Sequence, residues 1–390
     1  MASHSRTRIN FLYANIGRGH PHYLDGIIEC LESHRVGQVA DVFALASGGS
    51  LGAWRLVRLL YRVAGAHGVT AFLYNRLRAY TNYSRSGVVN RVLAGPARRR
   101  FLSDAAPLVV AHPLLVAALR GKPSLFYQHG EVAAPRESLV SGRHGVFVPT
   151  THTADAFMAV GIAPAQIIVS GLCIERGLVA QAEAAFHARL GRICGVDPLC
   201  GAFLASGAEP PLHVAKLVAA ALSAIERGGR TLILASEAGR LAAHATTAFS
   251  AAGVRLTRVT FGAAIHDSSH HALLYLYRNR RELNQLTADV FPQLDYFVSA
   301  AHERTSWALG LGLPMLVVDP SLGSFAPGNR ELVLGRGVGH AIESMSEAAR
   351  FGRVMERLRG SGSLAGMAES GWGKFDIGGF EHIARVLAHL

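Results

Sequence analysis

The chain has 390 residues, half of them hydrophobic and 17% charged, with a formal net charge of +12. That length supports two domains with substantial cores, and that composition excludes an intrinsically disordered chain. No apolar run reaches about 18 residues, so no membrane-spanning helix is expected. The basic excess is almost all arginine, the only lysines being Lys122, Lys216 and Lys374. Guanidinium groups grip phosphate in pairs, so the charge suits an anionic membrane surface or another polyanion. No nucleic-acid motif accompanies it, and nucleic acid is not expected as a partner. Cys30, Cys173, Cys194 and Cys200 show neither CxxC nor metal-ligand spacing; they read as reduced, mostly buried thiols of a cytosolic protein.

Taken in order, Arg6 and Arg8 precede an apolar run too short for a signal core, so Ile9–Asn15 reads as a first strand. Gly17-Arg18-Gly19-His20 follows, then a helix from about His22 to Ser33. A glycine-rich turn there lets backbone approach a ligand and aims helix N–H groups at an anion. The third glycine of a dinucleotide fingerprint is missing, and a plain tight turn fits equally. Val39–Leu45 is expected as the second strand. The stretch Leu51–Leu102 is basic, aromatic and helical in pattern: Trp54, Leu59, Tyr61 and Phe72 alternate with Arg55, Arg58, Arg62, Arg76 and Arg78. Such a pattern suits a bilayer interface with anionic head groups, and it equally suits a core-facing helix pair with a solvated basic face.

Strands are then expected at Leu108–Ala111, Ser124–Tyr127, Gly145–Pro149 and Gln166–Ser170, with a helix over Thr151–Val160. Strands and helices alternating at this length imply a parallel, doubly wound sheet. Its polar loop residues His20, His112, His129 and Glu131 all fall at strand ends on one edge. An alanine-rich helix and a short connection span 176–198. A second series follows, with strands at Leu199–Ala205, Thr231–Ala235, Arg255–Thr260, Tyr296–Val298 and Met315–Val318. About four turns of helix are expected between the last two, ending at Gly312-Leu313-Pro314. The histidine-rich segment His266–His271 reads as a solvated loop, since it lacks HExxH or Cys/His pairing. Gly360–Gly379 is Gly/Ser-rich, and Phe380–Leu390 closes the chain as a helix. The expected class is α/β: two Rossmann-like, doubly wound parallel-sheet domains, 1–175 and 199–375, facing a cleft. The segment 376–390 is expected to pack back on the first domain.

These features resemble the GT-B fold glycosyltransferases of family 28, whose members include glycosyl-diacylglycerol synthases and the lipid-linked N-acetylglucosaminyltransferase of peptidoglycan assembly. Gly17–His20 is similar to the family's first glycine-rich loop, and the insert at 51–102 lies where the diacylglycerol enzymes carry membrane-binding helices. VVAHPLL, then GVFVPT and IIVSG, follow the family's pattern in the first domain, and ALGLGLPMLVVDP with Gly328-Asn329 is similar to its donor-domain signature. The resemblance implies inverting, metal-independent sugar transfer from a nucleotide-sugar, a UDP-sugar by analogy, to a lipid acceptor at the cytoplasmic membrane face. No further cofactor is implied, and the absence of a DxD pair agrees.

It also implies roles for residues. His20, His129 and Glu131 are candidates for acid–base work. Gly17, Gly19, Ser206, Gly207, His302, Glu303, Arg304, Trp307, Ser324 and Asn329 are candidates for the donor nucleotide. Trp54, Arg55, Arg58, Tyr61, Arg62, Phe72, Arg76 and Arg78 would meet membrane and acceptor. Trp307 stands where the family carries a ribose-binding glutamate, and Ser324-Phe325 where it carries a sugar-binding polar pair. Those replacements leave two other readings: a non-catalytic nucleotide- or lipid-binding protein, and a soluble glycosyltransferase or sugar-nucleotide epimerase.

Overall fold

The structure is a computed structural model and describes residues 7–16, 19–64, 76, 80, 83, 88–262 and 271–390. The first domain holds a six-stranded sheet in the order β2-β1-β3-β4-β5-β6. Its strands are β1 (Ile9–Tyr13), β2 (Val36–Asp41), β3 (Leu108–Val110), β4 (Leu125–Gln128), β5 (Gly145–Val148) and β6 (Ile167–Val169). The second domain holds a seven-stranded sheet in the order β13-β12-β11-β7-β8-β10-β9. Its strands are β7 (Cys200–Leu204), β8 (Arg230–Ser236), β9 (Thr257–Val259), β10 (Ala272–Tyr277), β11 (Tyr296–Ser299), β12 (Met315–Val318) and β13 (Gly339–Ile342). Every pairing is parallel. Helices therefore cover both faces, which is why β11 and β12 are buried along their whole length and apolar but for Ser299.

The chain order reverses at β1/β3 in the first sheet and at β7/β11 in the second, where β10 also inserts between β8 and the edge strand β9. At such a point the outgoing loops diverge and leave a crevice beyond the carboxyl ends of the strands. The last helix, Gly379–Ala388, crosses back to the first domain and buries Phe380, Ile383 and Leu387 against Leu24 and Ile27. Arg35 holds its end, donating to the carbonyls of Leu387 and Ala388 at 3.1 and 2.7 Å. A cation there meets the negative end of the helix dipole.

Several expectations are corrected. The second strand ends at Asp41, whose carboxylate accepts from Phe43 N and caps a helical turn over Val42–Leu45. The helix between β11 and β12 is only Thr305–Gly310, because Gly312 takes a left-handed φ of 57° and Pro314 cannot continue a helix. The glycine-rich tail contains a helix at Ser363–Ser370. Strands β10 and β13 had no expected counterpart. Of the four thiols, Cys194 is exposed. No described helix is long and apolar enough to cross a membrane.

Candidate functional site

The loops leaving β1, β3 and β4 face those leaving β7, β11 and β12 across a cleft of about 960 Å³, counting its open mouth. From the first domain it is lined by Gly19, His20, Tyr23, Val57, His112 and the run Tyr127–Glu131. From the second come Ser206, Gly207, His302, Glu303 and Gly323–Phe325. No lysine or arginine appears among the described lining residues. A phosphate would therefore be met by backbone N–H groups at helix starts and by imidazoles.

Glu131 lines the cleft from the first domain. Its Oε2 accepts from Asn329 Nδ2 at 2.8 Å, and it is hydrogen-bonded to Tyr23. A Cβ on Gly19 would stand 3.7 Å from Glu131 Oε1, which puts the carboxyl against the first turn of the Gly19–Cys30 helix. Gly130 makes this packing possible, since any Cβ there would come within 2.2 Å of the Tyr23 ring. Burial, and next the charge of Glu303, push Glu131 up from 4.5 to about 8, while its bonds from Asn329 and Tyr23 work the other way. A carboxyl poised near neutrality in a cleft is suited to moving a proton.

The histidines divide by environment. His129 is buried; its Nδ1 lies 3.3 Å from Tyr127 Oη and its Nε2 3.1 Å from the carbonyl of Ala133. Burial pushes its pKa down to about 4, so the ring is neutral with both nitrogens engaged by protein. To act as a base, the ring would have to release one of these two contacts. His20 instead lies half-buried at the start of its helix, its ring centroid 4.7 Å from that of His112. His112 is buried and caps the Pro113–Ala118 helix, its Nδ1 accepting from Leu114 N at 3.2 Å. His302 lines the far wall, and burial holds its pKa below the ordinary imidazole value.

Of the expected donor-side residues, Ser206, Gly207, His302, Glu303 and Ser324 line the cleft, as does Gly19. Gly17 lies outside the described residues. Trp307 is a correction: it is 1% exposed, and its Nε1 donates to Glu175 Oε2 at 2.9 Å, away from the cleft lining. Arg304 is another. It is buried, with its guanidinium carbon 5.4 Å from the Trp307 ring and Nη1 3.7 Å from Glu303 Oε1. Asn329 is fully buried and turns to the opposite domain rather than to open cleft. Ser324 hydrogen-bonds Glu137, a buried carboxyl that the sequence reading passed over. The β12 exit loop is held from below by Lys216, whose ammonium donates to the carbonyls of Asp319, Ile342 and Glu343 at 2.6, 3.2 and 2.6 Å.

The basic insert also needs correction. Trp54, on the Gly48–Ala64 helix, is 1% exposed, and its Nε1 donates to the carbonyl of Leu93 at 2.9 Å. Its ring lies 6.0 Å from that of His112, so it braces the cleft wall instead of facing a bilayer. Trp54→Ala should cost about 3–5 kcal/mol of stability, read from a urea midpoint, with vesicle affinity little changed. The outward face of the same helix carries Leu56, Leu59 and Leu60 at 55, 55 and 48% exposure. Arg55 lies among them, exposed, and Arg58 packs over the Phe43 ring at 4.4 Å. Arg76 is exposed. The side chains of Tyr61 and Arg62, and all of Phe72 and Arg78, lie outside the described residues, as does most of the histidine-rich loop. Among the described residues no group of three or more His, Cys, Asp or Glu is arranged to hold a metal ion.

No protein-family model and no curated protein matches the sequence. Solved structures do match in shape. The UDP-GlcNAc 2-epimerase of Neisseria meningitidis bound to UDP-GlcNAc aligns over 98% of this chain and 100% of its own, with a TM-score of 0.57 at 11% identity. A putative UDP-N-acetylglucosamine 2-epimerase from Listeria monocytogenes aligns over 99% and 95%, with a TM-score of 0.55 at 12% identity. Medicago truncatula UGT71G1 complexed with UDP-glucose aligns over 100% and 99%, with a TM-score of 0.54 at 11% identity. With its two parallel sheets and their shared cleft, the chain has the GT-B fold.

Proposed function

We propose that the chain is a nucleotide-sugar enzyme that transfers a sugar from a UDP-sugar to the hydroxyl of a lipid or other apolar acceptor, with inversion and without a metal. The observation that carries this reading is Glu131, a carboxyl raised to about 8 within the cleft between the two sheets. Ionised, it accepts the acceptor's hydroxyl proton as the new glycosidic bond forms. Backbone N–H groups at Ser206-Gly207, on the second-domain wall of the cleft, supply neutralisation for the departing diphosphate. Val57 of the Gly48–Ala64 helix lines the cleft, and the neighbouring leucines and Arg55 give that helix an apolar, basic outer face for an anionic membrane.

The test is UDP release from a panel of UDP-sugars, with and without vesicles containing anionic lipid. Release that requires both is the expected result; no release with any donor sinks the reading. Leu56, Leu59 and Leu60 changed together to Ser should lower vesicle affinity by about tenfold or more, from lost apolar burial.

A second reading, epimerisation of the nucleotide-sugar itself, is favoured by one feature: Glu303 faces Glu131 closely enough to raise its pKa. Inverting a sugar carbon needs one group to take a proton from one face and another to return it on the other, and two acidic groups in one cleft can divide that work. An altered sugar nucleotide formed with no acceptor present would establish this reading over transfer.

A further inference from the structure

The first turn of the Ala326–Gly335 helix, in the second domain, docks into the loop that leaves β4 in the first. Asn329 makes the central contact. It is fully buried, its Oδ1 accepts from Ala133 N at 3.1 Å, and its Nδ2 donates to Glu131 Oε2 at 2.8 Å and to Ala301 O at 3.3 Å. Ser324 reaches Glu137, and the Phe325 ring lies 5.9 Å from that of His129. Gly328 sets how close the two domains come, because a Cβ there would stand 2.9 Å from Ala133 Cβ. That is inside van der Waals contact, so a side chain at 328 must push the helix away from the loop.

We propose that Asn329 is a positioning residue which orients Glu131 from the opposite domain, so that the acid–base centre is complete only when the two domains are closed on this turn. One amide fixes three partners on both sides of the cleft, and one of them is the carboxyl itself. Opening the domains would remove Asn329 from Glu131 and let water in. Closing them restores both the donor and the dry surroundings, so the carboxyl's affinity for a proton rises as the cleft shuts around its substrate. The other groups facing Glu131 are Tyr23 and His20 from the first helix, His129 from its own loop, and Glu303 with Arg304 behind it from the β11 exit. Of these, Glu303 and Arg304 also belong to the second domain and would move with Asn329.

This inference rests on Glu131 being the acid–base group, yet its test needs no turnover. The carboxyl of Glu131 is followed by NMR titration of the full-length chain labelled at glutamate Cδ, with Glu131→Gln identifying the resonance. In Asn329→Asp the Ala133 contact is kept, but a carboxyl replaces the amide donor. The pair should share a proton, and its final ionisation should rise by about one pH unit or more. In Gly328→Ala the closed contact is pushed apart and water enters, so the midpoint should fall toward the ordinary carboxylate range. Adding Ala133→Gly to Gly328→Ala makes room for the new methyl and should return the midpoint to the wild-type value. A midpoint that stays at the wild-type value in both single variants overturns the proposal; it would make Asn329 a packing residue only. Should Asn329→Asp not fold, the Gly328/Ala133 pair decides by itself. A wild-type protein that acts on no nucleotide-sugar but shows these shifts keeps the coupling and loses the enzymatic reading.

Discussion

Glu131→Gln is expected to reduce turnover by about 10²–10⁴-fold while leaving nucleotide binding in place. The amide is isosteric and still accepts from Asn329 Nδ2, which lies 2.8 Å from Glu131 Oε2 in the structure, so the loop should hold its place. Only the ability to take or give a proton is lost. Retained binding would show as stabilisation by UDP, about 2.7 kcal/mol at a hundredfold excess over Kd. The pH dependence adds a sign. Because Glu131 is raised to about 8, it is mostly protonated at neutral pH in the free protein. Used as a base for transfer, it gives a rate that rises with pH up to and through about 8; used as a proton donor, it gives a rate that falls across the same range. The variant should lose that limb in either case. Stability follows separately: a carboxyl whose pKa is raised from 4.5 to about 8 on folding favours the folded state fully below about 4.5, and the contribution is lost as pH rises through about 8. Glu131→Gln should flatten that slope in urea midpoints taken between pH 5 and 9. Unchanged turnover in Glu131→Gln would remove this residue from the chemistry.

The parallel-sheet architecture was legible because its signals are local. Runs such as LVV, GVFV and MLVV, bounded by glycine and proline, can only be short buried strands when they alternate with helices. The cleft was legible for a topological reason, since polar residues at strand carboxyl ends must gather on one edge. Orientation was not. Trp54 and Trp307 each look like a ligand or membrane contact by type and spacing, yet each is buried with its N–H satisfied by a group far along the chain, Leu93 and Glu175. A tryptophan in a core needs such a partner, and nothing in local sequence announces it. Asn329 shows the same limit: Gly328-Asn329 marks the donor domain in pattern, but its hydrogen bonds run to Glu131 and Ala133, about two hundred residues earlier. β13 was missed because its GHAI run has only one buried position and no alternation to find. β10 is a different case: its ALLYLY run, buried at four of six positions, carries an ordinary apolar strand signal directly after the histidine-rich segment.

Trp307 carries the second large effect, and it separates two uses of the same side chain. Its ring lies 5.4 Å from that of Phe297 beneath β11, and Arg304 covers it at a similar distance. Its Nε1 donates to Glu175, in the segment between β6 and the second domain, and Glu175 in turn lies 4.0 Å from His22 of the first helix. One indole thus ties the core of the second domain to the connection between the domains and, through Glu175, to the first. Trp307→Ala should cost about 3–5 kcal/mol from lost packing alone. Trp307→Phe keeps most of the ring and removes the donor to a buried carboxylate, for which about 1.5–3 kcal/mol is expected. Urea denaturation of both variants gives the stability loss, and stabilisation by UDP gives the binding. If the indole belongs to the core, Trp307→Phe lowers the urea midpoint and the folded protein is stabilised by UDP as fully as the wild type. If it belonged to the donor site in place of the ribose-binding glutamate, the midpoint would hold and the UDP effect would vanish. The geometry commits to the first outcome, because a ring 1% exposed has no face left for a nucleotide.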